Sequence, residues 1–303
     1  MSTKDNIRVF LGSEIARRLA NIEFEQVTEI RLRVDKPLII KTKFHEYAID
    51  ESGNFSKLHI ESYAPTMEDI RETIERISQY SFYAFESELQ LGYITLPGGH
   101  RVGVVGQAVV ENGAVRAWKY ISGLNIRVAH SALGCANDVL PYILDLHGLK
   151  HTMIISPPGF GKTTLLRDIV RQISNKGLTV GLADERSEVA GCFQGVAQND
   201  VGFRTDVLDG CPKALAMVML LRGMSPGVIA VDELGGEQDS RAVDTVLNAG
   251  VKLLCTAHGN NVEDAMANPS LSSMLNRGIF ERFIVLSKPY ITSVFDGGGH
   301  YVA

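Results

Sequence analysis

Cysteine is scarce in this sequence, and none of it forms a paired motif. The 303 residues contain four cysteines, and no two of them are spaced as C-x-x-C. A zinc knuckle or a dithiol redox pair is therefore not indicated. This usage fits a reducing cytoplasm. The cysteines are Cys135, Cys192, Cys211 and Cys255.

Long apolar runs and a positive net charge are also absent. No run approaches the roughly 20 residues that cross a bilayer, and Met1–Phe10 lacks the apolar core of a signal peptide. The net charge of −5 gives no overall attraction to nucleic acid or to an anionic membrane. We therefore expect a cytoplasmic protein that reaches a membrane only through partners. The hydrophobic fraction of 45% is that of a globular protein with room for two domains.

The two parts of the chain differ in pattern. Residues 1–129 contain short strand patterns and amphipathic helices, which predict a smaller α+β domain. A helix is expected over Met67–Tyr80, and a hairpin is expected around Pro97–Gly99. Trp118 and the aromatic cluster Tyr80–Phe85 lack interleaved basic residues, which favours core packing over stacking on nucleic acid.

Residues 130–303 alternate between apolar strands and helices. This pattern predicts a mostly parallel sheet covered on both faces, with ligands bound beyond the carboxyl ends of its strands. Asn137–Asp145 is expected to be a helix that leads into this domain. The expected strands are Thr152–Ile155, Thr179–Ala183, Val228–Val231, Lys252–Thr256 and Arg282–Leu286.

A glycine-containing loop between a strand and a helix is the strongest chemical signal. Glycine lets backbone N–H groups close around phosphate, and the next helix points its positive end at the same anion. Lys162 is expected to reach the β- and γ-phosphates of ATP, and Thr163 to ligate Mg²⁺. Ser156 departs from the usual pattern, which has glycine there. The loop comprises Ser156, Pro157, Pro158, Gly159, Phe160, Gly161, Lys162, Thr163 and Thr164.

Acidic residues follow two of the predicted strands. Asp232 and Glu233 end an apolar strand, so Asp232 is expected to hold Mg²⁺ and Glu233 to orient or deprotonate the attacking water. A second box, Asp184–Glu188, includes the candidates Glu185 and Glu188. Its acids could hold the water shell of the metal or form a solvated turn paired through Arg186, and the pattern does not choose among them.

Basic residues near strand ends supply further candidates. His258 follows a strand, where it could hydrogen-bond the γ-phosphate or be only a surface residue. An arginine from another domain or subunit could stabilise transition-state charge, and Arg101 and Arg127 are the most plausible sources. The remaining basic candidates are Arg31, Arg33, Arg204, Lys213, Arg222 and Arg277.

Several motifs resemble the stage III sporulation protein AA family over nearly the whole chain. That family also begins its phosphate loop with Ser-Pro-Pro-Gly, as at Ser156 here. The resembling segments are Glu29–Arg33, Lys36–Leu38, Pro97–Gly103, Ile155–Gly159, Arg204–Gly210 and Met224–Pro226.

This resemblance implies a RecA-like P-loop domain, similar to the hexameric ATPases of type II and type IV secretion and of pilus assembly. In those proteins an acidic box follows the phosphate loop and a histidine box follows the Mg²⁺-binding strand. Asp184–Glu188 and His258 occupy those places. Arginines from the N-terminal domain complete the site, which favours Arg101 and Arg127. The four-cysteine zinc element of type II secretion ATPases is absent here.

The implied role is a homohexameric Mg²⁺-dependent ATPase that energises a channel between mother cell and forespore. It would act from the mother-cell cytoplasm with integral-membrane proteins of that complex. A nucleic-acid-dependent RecA-like ATPase is the alternative, since fold alone does not set function. A scaffold that binds ATP but scarcely hydrolyses it is a third hypothesis.

Overall fold

The computed structural model describes residues 7–56, 62–78, 92–130, 132–288 and 291–303. The chain divides into two compact units, Met1–His130 and Ser131–Ala303. The first is an antiparallel sheet with helices, and the second is an α/β unit. The predicted fold class, a mostly parallel α/β domain preceded by an α+β domain, is confirmed.

The first unit is built on a seven-stranded antiparallel sheet of order β4-β3-β2-β1-β7-β6-β5. A 3₁₀ turn, Ile7–Phe10, precedes helix α1, Ser13–Arg18, and helix α2 spans Met67–Ile77. The strands are β1 Val27–Arg33, β2 Ile39–Thr42, β3 Glu46–Ile49, β4 Phe55–Ser56, β5 Tyr93–Thr95, β6 Arg101–Glu111 and β7 Ala114–Arg127.

Helix α2 is the helix predicted from Met67, and Thr66 caps it with a reciprocal capping box to Asp69. Its buried residues Ile70, Ile74 and Ile77 keep the expected helical spacing. The predicted end at Tyr80 and the cluster Tyr80–Phe85 lie outside the described residues. Trp118 is half-buried on β7.

The predicted hairpin at Pro97–Gly99 joins β5 to β6. Gly98 and Gly99 have φ of 87° and 78°, which glycine adopts without a steric penalty. His100 is fully buried, and its Nδ1 accepts a hydrogen bond of 3.0 Å from the Ala129 N–H. This segment therefore fixes where β6 begins and where Arg101 lies.

The β6–β7 hairpin contains register shifts, one of them between Val105 and Gly106. A Cβ built at Gly106 would overlap the carbonyl oxygen of Tyr120. At Gly103, three residues earlier on the same strand, the nearest atom would lie at 3.8 Å. Glycine at position 106 is thus required by the close approach of two backbones.

We predict that Gly106→Ala lowers the free energy of unfolding by about 1–3 kcal/mol, because the added methyl group forces the strands apart. Gly103→Ala is the matched control and should change it by less than about 1 kcal/mol. Urea unfolding followed by circular dichroism measures both. Equal losses in the two variants would contradict the role assigned to Gly106.

The second unit contains a seven-stranded sheet of order β12-β11-β13-β14-β10-β15-β16, parallel except for its last pair. The predicted parallel sheet is present. Its strands are β10 Thr152–Ser156, β11 Val180–Asp184, β12 Thr205–Asp209, β13 Val228–Val231, β14 Lys252–His258, β15 Arg282–Lys288 and β16 Ile291–Asp296.

Helices cover both faces of this sheet. Alternate side chains of β10 enter opposite cores: Ile154 packs with α4, whereas Ile155 belongs to the core of α5 and α6. This explains why the strands read as continuous apolar runs. The helices are α3 Leu140–Ile143, α4 Lys162–Asn175, α5 Lys213–Met224, α6 Glu237–Asn248, α7 Val262–Ala267 and α8 Pro269–Leu275.

The predicted helix Asn137–Asp145 is wrong over most of its length. Only α3 is helical, and the next two residues form a short strand, β8 Leu144–Asp145, paired with β9 Gly148–Leu149. The turn between β8 and β9 explains why the helix ends at Ile143 and a strand follows. The Asp145 carboxylate accepts the His147 N–H at 2.8 Å, and Gly148 takes a φ of 108°. Across the described ranges, no helix has both the length and the apolarity of a membrane span.

Candidate functional site

Four adjacent strands of the second unit end at one edge of the sheet. In spatial order they are β11, β13, β14 and β10, and they lead to the acidic box, Asp232–Glu233, His258 and the phosphate loop respectively. Parallel strands present their carboxyl ends together, so residues far apart in sequence converge here.

The phosphate loop joins β10 to α4. Gly159 and Gly161 have φ of 80° and 95°, and Gly161 is the N-cap of the helix. Ser156, which replaces the usual glycine, is buried, and its hydroxyl donates to the Pro157 carbonyl at 2.7 Å. Phe160 packs against the core beneath the loop. The serine is therefore accommodated by folding its polar atom back onto the loop.

Lys162 lies within an ion cluster formed with Glu233 and His258. Its Nζ lies 3.5 Å from Glu233 Oε1 and 3.3 Å from His258 Nε2, and His258 Nε2 lies 2.9 Å from Glu233 Oε1. Lys162 is only 6% exposed, so the neighbouring carboxylate offsets part of the cost of burying its ammonium group. Three predicted site residues thus meet directly.

Asp232 is held from two sides by hydroxyl groups. Thr163 Oγ1 donates to its Oδ2 at 2.9 Å, and Thr256 Oγ1 donates to its Oδ1 at 2.5 Å. The two residues expected to ligate Mg²⁺, Thr163 and Asp232, are therefore in contact. The two hydroxyl groups fix the orientation of the carboxylate, and carboxylate oxygens are ligands that Mg²⁺ accepts.

Glu233 has an unusual backbone conformation. Its φ is +56°, in the left-handed region that L-residues avoid. Its N–H donates to Thr256 Oγ1 at 2.9 Å, and its carbonyl oxygen accepts from Lys213 Nζ at 2.8 Å. Both peptide groups flanking this residue are consequently held by side chains from other elements.

We predict that Glu233→Gly is more stable than Glu233→Ala by about 1 kcal/mol, because only alanine keeps the Cβ that disfavours the left-handed region. At an ordinary exposed helical site glycine is the less stable of the two. Denaturant unfolding of both variants provides the measurement. A preference for alanine at position 233 would contradict the assigned conformation.

The acidic box divides into a structural and an exposed part. Asp184 is 1% exposed, and its carboxylate accepts the backbone N–H groups of residues 188, 189 and 190. Arg167 of α4 donates to the carbonyls of Glu188 and Val189 at 2.8 and 2.5 Å. Asp184 and Arg167 therefore shape the loop, and Asp184 is not available as a free base.

The other two acids face the same cleft as Asp232 and Glu233. Glu185 Oε2 lies 3.2 Å from Lys213 Nζ, and Glu188 is half-buried. Arg186 Nη1 lies 3.3 Å from Glu233 Oε2. The residues lining this cleft are Asp184, Glu185, Arg186, Glu188, Lys213, Asp232 and Glu233.

The charge state of Glu233 follows from its neighbours. Burial opposes its ionisation, but Lys162, His258 and Arg186 outweigh that effect and hold the pKa of Glu233 below its ordinary value. Glu233 is thus ionised at neutral pH. Glu233 forms ion pairs with its basic neighbours. Because Lys162 lowers its pKa, its carboxylate is a weak base while Lys162 lies beside it.

This lowered pKa predicts a pH dependence of stability. Because the folded-state pKa lies below the unfolded value of about 4.3, the contribution of the carboxylate is complete above that value and is lost as pH falls through the folded pKa. The stability advantage of the parent over Glu233→Gln should therefore shrink as pH falls from 7 towards 3.5. Urea unfolding across this range tests it, and a constant difference would contradict it.

The donor set of the site fits Mg²⁺ bound with a nucleotide. Mg²⁺ usually keeps several waters and takes one or two protein ligands together with phosphate oxygens, and Thr163 and Asp232 supply such a pair. Within the part of the chain that is described, no three His, Cys, Asp or Glu side chains are grouped to hold a metal ion alone. The site fits a metal that arrives with phosphate.

Arg101 and Arg127 belong to strands β6 and β7 of the first unit, whereas the cluster is formed by elements of the second unit. They are register partners on β6 and β7, and Arg101 lies over the Tyr93 ring at 4.7 Å. Glu29 pairs with Arg127 in register and bonds to Arg31 at 2.8 Å. The two arginines therefore share one face of the antiparallel sheet with Arg31.

Sequence reasoning missed two positioning residues and gave a third no specific role. Thr256 joins Asp232 to the Glu233 backbone, and Arg167 ties α4 to the acidic box. Lys213 was only one of several basic candidates, yet it contacts both Glu185 and Glu233. A lysine opening an otherwise apolar helix was the available signal for Lys213. Thr256 carried a weaker one, as a hydroxyl at the end of the strand beside β13.

A phosphate loop, an acidic pair at the end of β13 and a mostly parallel sheet, in which β14 separates β13 from the phosphate-loop strand β10, define a RecA-like P-loop fold. The chain belongs to the family described as sporulation stage III, protein AA, whose model matches residues 1–297. It is 38% identical over 288 residues to the stage III sporulation protein AA of Bacillus subtilis (strain 168), covering 92% of this chain and 89% of that protein.

Solved structures support the fold. The ATPase DotB of Yersinia pseudotuberculosis aligns with a TM-score of 0.57 at 14% identity, covering 95% of this chain and 77% of that one. The pilus retraction motor PilT, solved with bound ADP, aligns with a TM-score of 0.56 at 17% identity, covering 90% and 77%. The resemblance to this family and the similarity to secretion and pilus ATPases are confirmed.

Proposed function

We propose that this protein is a Mg²⁺-dependent ATPase that acts as a homohexameric ring. The observation that carries the proposal is the convergence of Lys162, Glu233 and His258 within 3.5 Å, beside the contact of Thr163 with Asp232. The family and the fold of DotB and PilT support the same reading.

In the proposed reaction, ATP takes over the partners that the cluster now holds. Lys162 pairs with the phosphates and leaves Glu233, which removes the strongest attraction that lowers the pKa of Glu233. Glu233 then becomes a better acceptor for the proton of the attacking water. His258 remains beside both groups, where it can hydrogen-bond the γ-phosphate.

Thr163 and Asp232 would hold Mg²⁺, which when bound neutralises charge on the β- and γ-phosphates. The hydrogen bond from Thr256 keeps Asp232 oriented for this role. Glu185 and Glu188 line the same cleft and would orient water around the metal. Substituting Glu185 and Glu188 one at a time would show how much each contributes to the rate of hydrolysis.

We further propose that Arg101 and Arg127 complete the site of a neighbouring subunit. Their shared face on the first-unit sheet supports joint action on one anion. Head-to-tail contacts that close on themselves give a ring, as a shared site requires. The ring would energise a channel between mother cell and forespore from the mother-cell cytoplasm. Integral-membrane proteins of that complex would be its partners.

The central test is ATP hydrolysis measured against protein concentration, with light scattering for mass. Lys162→Ala should abolish turnover, and Glu233→Gln should lower kcat by about 100-fold or more while ATP still binds. Unchanged phosphate release from Lys162→Ala would contradict the assignment. Stimulation by DNA or RNA that falls steeply with salt would favour the nucleic-acid-dependent alternative instead.

Mixed rings test the shared site. Subunits carrying Glu233→Gln and subunits carrying Arg101→Ala should each be inactive, and mixing them should restore activity, because some sites then combine an intact Glu233 with an intact Arg101. Mixing Glu233→Gln with Lys162→Ala is the control and should restore nothing, since both residues belong to one subunit's share of each site. No recovery in the first mixture would contradict the shared-site model for Arg101. Repeating it with Arg127→Ala tests the second arginine.

A further inference from the structure

Lys213 is a basic residue placed where helix electrostatics oppose it. It is the first residue of α5, and positive charge is disfavoured at a helix N-terminus. The rest of that helix is almost wholly apolar. A lysine held at this point therefore requires a specific interaction that outweighs the helix dipole.

The local fold brings Lys213 to the site. Strand β12 runs beside β11 and ends at Asp209, and the Gly210 N–H then donates to the Asp184 carbonyl at 3.1 Å. Pro212 follows and opens α5. This connection brings the lysine to the ends of β11 and β13, where the side chain is 19% exposed.

The contacts of Lys213 are directed at Glu233 and at the acidic box. Its Nζ donates to the Glu233 carbonyl at 2.8 Å and lies 3.2 Å from Glu185 Oε2. The carbonyl it holds belongs to the residue with a φ of +56°. On the other side of that residue, Thr256 accepts its N–H. Lys213 and Thr256 thus hold the strained residue between them.

We propose that Lys213 is a positioning residue for ATP hydrolysis. It keeps the Glu233 backbone left-handed, which directs the carboxylate toward Lys162 and His258, and it couples that orientation to the acidic box through Glu185. The inference rests on the proposed function of Glu233. Its contacts go to Glu233 and Glu185 and not to the phosphate loop, so Lys213 acts on the rate of hydrolysis and not on nucleotide affinity.

The kinetic test compares Lys213→Met with Lys213→Arg, Glu185→Gln and a control, Lys252→Met. Lys252 forms a similar pair with Glu281 at 3.0 Å, but at the opposite end of β14. Lys213→Met should lower kcat by about 10- to 100-fold, with the ATP dissociation constant within about threefold of the parent. Lys213→Arg should recover part of the rate, Glu185→Gln should lose less, and Lys252→Met should match the parent.

Two kinetic outcomes would overturn the inference while leaving the proposed function intact. One is an unchanged kcat in Lys213→Met. The other is a loss of ATP binding as large as the loss of kcat, which would assign Lys213 to binding or to the fold. Absence of hydrolysis in the parent, by contrast, would be a failure of the proposed function itself.

A stability measurement judges the backbone role without any activity. The melting temperatures of Glu233→Gly and Glu233→Ala are compared, first with Lys213 intact and then in the Lys213→Met background. If Lys213 holds the left-handed conformation, the advantage of glycine over alanine should shrink in Lys213→Met, because residue 233 can then relax. An equal advantage in both backgrounds would overturn the inference. Lys213→Ala, which also removes the ammonium group, serves as the second background if the methionine variant does not fold.

Discussion

The left-handed backbone at Glu233 is the constraint on which the rest of the site depends. In an extended conformation, residue 233 would continue strand β13 and its side chain would project from one face of the sheet. The hydroxyl of Thr256 and the ammonium of Lys213 hold the two flanking peptide groups, one from each neighbouring element. Local strain is retained here because packing from both sides outweighs it, a situation typical of functional sites.

The positive charge of Lys162 is compensated within the site itself. The Lys162 ammonium group is largely buried from water. Glu233 provides the opposite charge beside it, and His258 provides a further polar contact. Phosphate would therefore compete with a carboxylate for the same ammonium group, so part of the gain from binding is offset by the loss of that pair. The loop has the left-handed glycines, and the α4 N-terminus has the position, that the proposed phosphate site requires.

Much of this arrangement could be predicted from residue pattern, because parallel strands place their ends together and motifs at those ends must meet. Lys162, Thr163, Asp232, Glu233 and His258 were found in this way. Other features depend on contacts that a pattern does not encode. The burial of Asp184 under three backbone N–H groups depends on how its loop folds back. The helix expected at Asn137–Asp145 does not extend to Asp145, although the apolar spacing favours it. The Asp145 carboxylate and the positive φ of Gly148 form a turn there instead.

Arg167 has a consequence that reaches beyond the shape of one loop. It lies one turn beyond Thr163 on α4 and donates to the carbonyls of Glu188 and Val189, so it links the helix that begins at the phosphate loop to the segment carrying the acids. A shift of either element would change these two hydrogen bonds. Arg167 therefore ties the segment carrying Glu188 to the helix that begins at Lys162, whereas Asp232 and Glu233 follow a different strand.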